Sequence, residues 1–319
     1  MLAAILTTLL WSGAAIMSQR SVRILGSIRA NLGRLIIAFV LLGAYAHTFG
    51  LGMGGAGRDA FLWSGVIGMG LGDLALFAAL PRLGARLTIL ICQCVAVPIA
   101  MVTEWAWLGT HLPVGQIGWA GIIVAGVAFA LMPSKRSPPR VPVTKLGILL
   151  GLGAAVGQGL GAVISRRAYE ITTESGMTID GITAAYQRIS GGLVITAGYF
   201  FFVWLRERRA RAIEAASAAS ENATDNTGST FAQSNPIGYF GRGGGYMLGN
   251  ALLGPVLGVS CYQWALATTP SGIVLPIVAT TPLVIIPLTY WFEGDRPSRR
   301  SLVGGAVAVA GVVALTLAR

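Results

Sequence analysis

Apolar residues fill most of the chain in ten runs, which short segments rich in glycine, proline or charged residues separate. A helix needs about 20 apolar residues to cross a bilayer, and most of these runs are close to that length. The pattern therefore predicts ten membrane-spanning helices. Their predicted limits are 2–18, 33–51, 60–80, 86–108, 116–132, 146–165, 181–205, 246–268, 272–292 and 301–318.

The second half of the chain is an imperfect copy of the first. Ser18-Gln19-Arg20 returns as Ser165-Arg166-Arg167, and Gly72–Leu80 returns as Gly258–Leu266. Arg29 and Arg188 are also interpreted as counterparts. Each copy holds five predicted helices, an odd number, so the two halves must cross the membrane in opposite senses. The sequence thus predicts two inverted repeats.

Two polar segments divide this plan into domains. Residues 133–145 are charged and proline-rich, and proline cannot continue a helix, so we predict a linker between repeats 1–132 and 146–319. Residues 206–245 begin with arginines and continue in Ala, Ser and Asn, which predicts a polar loop inserted in the second repeat, with a short interfacial helix at 206–220.

Composition supports a membrane protein over the soluble classes. Hydrophobic residues make up 54% of the chain and charged residues 11%, with a mean hydropathy of +0.71. The net charge of +11 does not indicate nucleic acid, because the arginines lie in short loops between spans and no aromatic-basic platform accompanies them. Most of these arginines lie in the loops after spans 1, 3, 5, 7 and 9, and positively charged loops face the cytoplasm. This bias predicts that both termini face outward and that 206–245 is cytoplasmic.

No pattern for catalysis, metal binding or a cofactor is present in the sequence. His47 and His111 are isolated, and Cys92 and Cys94 point to different faces of one helix. We therefore expect no cofactor, no metal and no enzyme activity. The expected partners are a small-molecule substrate and the lipid bilayer, and the expected assembly is a monomer.

Glu104 is the most informative polar residue, because charge inside a bilayer is costly. It shares a helical stripe with Gln93, Val97, Ala100 and Trp107. If that stripe faces a cavity, Glu104 could bind a cationic group or carry a coupling proton. The alternative is that it lies near the interface and points to water.

Asp73 and Arg188 are the other charged candidates. Asp73 lies in mid-span, where it could contact substrate or hold packed helices together. Arg188 could bind a carboxylate through its planar guanidinium, or it could extend to the lipid headgroups.

The remaining candidates are polar or aromatic residues that could orient a ligand in an apolar cavity, although such residues also serve packing. These are Trp11, Gln93, Gln158, Tyr262, Gln263, Trp264 and Thr280. Three prolines, Pro276, Pro282 and Pro287, further predict that span 9 is kinked, with freed carbonyls that need partners.

Over nearly its whole length the chain resembles the EamA-like family of the drug/metabolite transporter superfamily. The resemblance rests on several short motifs that recur in order. They are Leu10–Gly13, Gly70–Asp73, Ala79–Ala85, Val97-Pro98, Gly121–Gly126, Pro282-Leu283 and Gly294–Ser298. Thr110 and Asp295 depart from it, since the family usually has Glu at both places. The family's usual orientation, with cytoplasmic termini, is also opposite to the arginine bias.

The resemblance implies an all-α polytopic membrane protein with ten helices in two inverted five-helix repeats around a central cavity. Spans 1, 3, 4, 6, 8 and 9 would line that cavity. We expect a secondary transporter of the bacterial inner membrane that exports a small metabolite, such as an amino acid. A membrane-embedded enzyme and a non-transporting scaffold or regulatory subunit are the alternatives.

Overall fold

The computed structural model describes residues 1–132, 143–221, 236–293 and 298–318. In this part of the chain nine helices are long and apolar enough to cross a membrane, and a shorter one completes a set of ten. Numbered as spans 1 to 10, they are Leu2–Leu25, Ser27–Phe49, Arg58–Leu83, Leu87–Leu108, Val114–Leu131, Lys145–Glu174, Gly181–Ala210, Gly243–Thr268, Ser271–Pro287 and Arg299–Leu317. The predicted all-helical membrane fold is confirmed.

The spans alternate in direction, which defines two faces of the molecule. We call the face where every odd-numbered span begins the terminal face, because span 1 begins and span 10 ends there. The opposite face, where every odd-numbered span ends, is the arginine face.

The second part of span 3 and the whole of span 4 belong to one helical segment, Gly72–Leu108, whose two parts lie side by side. A Cβ on Gly157 would lie 2.7 Å from the Gly72 Cα, and one on Gly159 would lie 2.9 Å from the Ala96 carbonyl oxygen. Gly72 and Ala96 would be about 36 Å apart in a straight helix. Both nevertheless contact the same short stretch of span 6, so spans 3 and 4 form a hairpin against it.

Glycine-lined contacts hold the two repeats together. Where no water is excluded between helices, van der Waals contact drives packing, and small residues permit the closest approach. Spans 5 and 10 follow the same rule, since a Cβ on Gly126 would lie 2.8 Å from the Gly304 carbonyl oxygen. Substitution at these positions would force the helices apart.

Span 3 and span 8 are both interrupted by a π-helical segment, at Val66–Leu71 and Leu252–Gly258. The sequence repeat pairs Gly72 with Gly258. The first π-helical segment ends immediately before Gly72, and the second ends at Gly258. π-Turns are rare and concentrate at functional sites. Their matching positions support the repeat register for these two spans.

Span 9 is broken, as its prolines predict. Its two parts are Ser271–Val278 and Thr281–Glu293, with Ala279 and Thr280 between them. Two hydroxyls of span 1 reach carbonyls at this break: Thr8 Oγ1 lies 3.2 Å from the Ile277 oxygen and Ser12 Oγ 3.1 Å from the Thr281 oxygen, each in addition to a bond to a carbonyl of span 1. The predicted kink is confirmed, and its carbonyls accept bonds from both repeats, since the Thr280 and Thr281 hydroxyls of span 9 also donate to Ile277 and Val278.

Several predicted boundaries are wrong because helices extend beyond the apolar runs. Span 6 continues to Glu174, so Arg166 and Arg167 lie on a helix and not in a loop. Within 206–245, a helix covers 206–220 as predicted, as the end of Gly181–Glu221, whereas the helix Pro236–Ala251 begins inside the predicted loop. Residues 222–235 of that loop, and 133–142 of the predicted linker, lie outside the described residues.

Candidate functional site

Arg188 lies inside the protein and does not reach the lipid headgroups. Its side chain comes from span 7 and the residue is 5% exposed. The Nη1 atom donates to Ser64 Oγ at 2.8 Å, to Ser165 Oγ at 2.8 Å and to the Gly161 carbonyl at 3.0 Å. The guanidinium therefore joins spans 3, 6 and 7 in the half of the protein nearer the terminal face.

The space for this arginine comes from two glycines. A Cβ on Gly68 would lie 2.6 Å from Arg188 Nη2, and one on Gly161 would lie 3.2 Å from the same atom. Arg188 Nε is buried and has no hydrogen-bond partner. An unmade hydrogen bond to a buried charged group is costly, so this nitrogen is a donor available to a further acceptor.

Tyr262 and Gln263 of span 8 lie beside Arg188. The Arg188 Cζ atom lies 5.6 Å from the centre of the Tyr262 ring, a cation–π contact. Gln263 Nε2 donates to Ser165 Oγ at 3.0 Å, while Gln263 Oε1 and the Tyr262 hydroxyl have no partner. Trp11 packs against Tyr262 with ring centres 5.3 Å apart. The structure thus brings four of the predicted site residues together.

Two predicted glutamines meet between spans 4 and 6. Gln158 Nε2 donates to Gln93 Oε1 at 3.2 Å, and both side chains are half-buried. Gln158 lies one helical turn before Gly161, which accepts from Arg188. The pair extends the polar surface from Arg188 towards the arginine face.

Asp73 forms an ion pair that sequence analysis missed. Arg34 Nη2 donates to Asp73 Oδ2 at 2.8 Å, with side-chain exposures of 16% and 21%. Asn31 Oδ1 holds the same guanidinium by accepting from Arg34 Nε at 2.8 Å. Asp73 therefore joins spans 2 and 3.

Glu104 closes the terminal end of the site. Glu104 is only 2% exposed, so the alternative that its carboxylate points to water is wrong. Glu104 Oε2 accepts from the backbone nitrogens of Ser271 and Gly272 at 2.7 and 3.3 Å, and also from Ser271 Oγ. The carboxylate thereby caps the first half of span 9, where the helix dipole favours negative charge.

Arg166 completes this closure. Its Nε lies 3.2 Å from Glu104 Oε1, and its Nη1 donates to the Leu266 carbonyl at 2.7 Å. We call Glu104, Arg166 and Ser271 the terminal latch. It ties span 4 of the first repeat to spans 6, 8 and 9 of the second. A cleft of about 280 Å³ lies beside the latch, lined in part by Arg166, Tyr169 and Glu170.

The other two candidates have different settings. Thr280 lies at the break in span 9, 7% exposed, and its Oγ1 donates to the Ile277 carbonyl at 2.6 Å. Trp264 lies on the outer surface and is 51% exposed, apart from the remaining candidates. Adjacent helix positions point about 100° apart, so Gln263 can face inward while Trp264 faces lipid. We leave Trp264 out of the candidate site.

Exposure differs between the two ends of this site. Glu104, Tyr262 and Gln263 are buried towards the terminal face. Gln93 and Gln158 retain intermediate exposure on the side towards the arginine face, and Trp11 does so near the middle of span 1. The arrangement is that of a central site closed at one end by an ion-paired latch.

Sequence analysis missed Arg34, Ser64, Ser165, Arg166 and Ser271 as members of the site. Arg34 carried a usable signal, since it is an arginine inside the predicted span 33–51. Arg166 was counted as a loop residue because the apolar run ends just before it. Within the described residues no group of three or more His, Cys, Asp or Glu side chains could hold a metal ion.

Comparison with known proteins identifies the family. The sequence profile of the EamA-like transporter family matches residues 1–132 and 145–317. The chain belongs to the EamA-like transporter family. It is therefore a member of the drug/metabolite transporter superfamily and a multi-pass membrane transporter.

Solved structures share the overall fold of this chain. One, titled only "Crystal structure of protein", aligns with a TM-score of 0.64 and 18% sequence identity, covering 99% of this chain and 96% of the other. At that identity the likeness shows the shared fold alone. No curated protein matches the chain.

Proposed function

We propose that this protein is a secondary transporter of the bacterial inner membrane that exports a small metabolite, an amino acid or a related compound, by alternating access. The terminal latch is the observation that carries the proposal. It closes one end of a polar central site, while the residues at the other end keep partial exposure. A transporter needs such an end to close and open around one site.

The chemistry of the central site supports a substrate with an anionic group. Arg188 presents a guanidinium whose Nε lacks a partner, and guanidinium recognises carboxylates by paired hydrogen bonds. The Tyr262 and Trp11 rings provide apolar surface beside it. Asp73 supplies the opposite charge on the arginine side. A zwitterion such as an amino acid would match this distribution of charge.

The enzyme alternative needs two acids that work together at one depth. Asp73 and Glu104, the pair that sequence offered, are each bound to a separate arginine. The geometry therefore favours a role for Asp73 and Glu104 in holding helices together over a role in catalysis.

A ligand screen tests the substrate proposal. The purified protein is heated with single amino acids, with their decarboxylated amines and with their deaminated acids. A ligand at one hundred times its Kd stabilises the folded state by about 2.7 kcal/mol, which raises the melting temperature. We expect an amino acid to raise it and Arg188→Lys to reduce that shift.

Arg167→Lys is the matched control, because Arg167 lies on span 6 in surface pairs with Glu170 and Glu174. It should keep the full ligand response. Stabilisation by the amines alone, unaffected by Arg188→Lys, would contradict the proposed substrate class.

A further inference from the structure

Arg34 is the spatial counterpart of Arg188, and Arg29 is not. The register of the repeat equates Gly68 with Gly254, and Arg188 lies against Gly68. Arg34 Nη1 lies 3.9 Å from the Cβ position of Gly254. Arg29 is exposed. This spatial pairing differs from the sequence pairing of Arg29 with Arg188 by five residues, about one and a half helical turns.

The two arginines lie at mirrored depths. Each is seven residues from the start of its span, about 10 Å along the helix, Arg34 from the arginine face and Arg188 from the terminal face. This is the relation that a two-fold axis in the membrane plane would produce between inverted repeats.

Their present partners differ, however. Arg188 is docked between spans 3 and 6, where Ser64 accepts its hydrogen bond at 2.8 Å. The repeat register places Asn250 of span 8 where Ser64 stands. Arg34 does not reach Asn250: it binds Asp73 and Asn31. The terminal half thus holds a docked arginine, and the arginine half holds an undocked one.

Asn250 marks the unused docking position. Its residue is 2% exposed, and its Oδ1 has no hydrogen-bond partner. That oxygen lies 3.3 Å from the Cβ position of Gly254, the glycine beside Arg34 Nη1. A buried acceptor without a donor is costly, and the guanidinium nitrogen Arg34 Nη1 lies 3.9 Å from the same Cβ position.

We propose that Arg34 and Asn250 are positioning residues of the transport cycle, with Arg34 exchanging Asp73 and Asn31 for Asn250 Oδ1 when the arginine face closes. The exchange reproduces on span 8 the docking that Arg188 now makes on Ser64 of span 3. It rests on the proposed alternating access. Asp73, freed of Arg34, would then be open to a cationic group of the substrate.

The experiment measures the distance across the arginine face between spin labels at Arg23→Cys and Leu146→Cys. Both side chains are exposed and lie near the ends of spans 1 and 6 at that face. The three native cysteines are first replaced by alanine. The ratio of the short to the long distance reports the closed and open populations in liposomes.

Two asparagine variants should move this ratio in opposite directions. Asn250→Ala removes the acceptor of the closed state, so the closed population should fall about tenfold relative to the open one. Asn31→Ala removes a partner of the present state, so the closed population should rise. Asn250→Asp provides a stronger acceptor and should also raise it, which separates docking from a loss of folding.

The outcomes separate this inference from the proposed function. The unmodified protein could show two distances whose ratio neither Asn250→Ala nor Asn250→Asp changes. That result would overturn the role of Asn250 and leave alternating access intact. A single fixed distance under all conditions, with and without a ligand found in the thermal screen, would overturn alternating access and this inference with it.

Discussion

Replacing Glu104 by glutamine should open the terminal latch. The change keeps the shape of the side chain but removes the charge that Arg166 and the start of span 9 share. The present contacts are two backbone N–H groups at 2.7 and 3.3 Å, the Ser271 hydroxyl, and Arg166 Nε at 3.2 Å. A glutamine amide can accept some of these bonds, but its NH₂ group would face a guanidinium or a helix N-terminus.

The size of the effect follows from burial. Removing one member of a buried ion pair costs about 3–5 kcal/mol. Arg166 is 16% exposed and keeps its bond to the Leu266 carbonyl, so its penalty is smaller. We expect the closed terminal face to lose about 2–3 kcal/mol, which changes the ratio of closed to open states by roughly 30- to 150-fold.

Spin labels at His111→Cys and Met177→Cys, which lie in two connections at the terminal face, would report this change. Glu104→Gln should shift their distance distribution to longer values. Glu170→Gln is the control, because its pair with Arg167 is about one-third exposed and such pairs contribute only about 0–1 kcal/mol. Identical distributions for Glu104→Gln and the unmodified protein would refute the latch.

Four further predictions follow from the site. Arg188→Lys should lower transport, because an ammonium that takes the place of Nη1 leaves no donor at Nε, the partnerless nitrogen proposed to bind the substrate; unchanged transport would remove Arg188 from the site. Ser12→Ala should destabilise the break in span 9 by about 1 kcal/mol, seen as a lower melting temperature; an unchanged value would show that the Thr281 carbonyl needs no such partner. If Glu104 carries a coupling proton, Glu104→Gln should abolish proton-driven accumulation while substrate exchange persists; loss of neither would exclude this role. Finally, Ser229→Cys should resist labelling from outside cells if the arginine bias sets the topology, and ready labelling would contradict it.

The fold was largely predictable because the position and length of each apolar run determine where a membrane-spanning helix begins and ends. The predicted span 116–132 corresponds to Val114–Leu131, and 301–318 to Arg299–Leu317. The bilayer imposes this helix length directly, because the backbone hydrogen bonds of each crossing must be made within the helix over about 20 residues. The break in span 9 was equally predictable, because proline leaves carbonyls without donors wherever it enters a helix.

The charged partners were not predictable from the sequence. Glu104 and Arg166 are 62 residues apart in the chain, and Arg34 and Asp73 are 39 apart. Which charges meet depends on how the helices rotate and pack, and apolar runs contain no such information. The repeat alignment had the same limit: Arg29 and Arg34 both offer a match to Arg188, and only the contacts with Gly68 and Gly254 distinguish them.

Counterflow in liposomes that contain only the purified protein tests transport most directly. The liposomes are loaded with the ligand found in the thermal screen, or with a mixture of unlabelled amino acids, and diluted into the same compounds in radiolabelled form. We predict transient accumulation of label above that in protein-free liposomes, reduced by Arg188→Lys but not by Arg167→Lys. Accumulation no greater than in protein-free liposomes, from a protein that still melts cooperatively, would contradict the account.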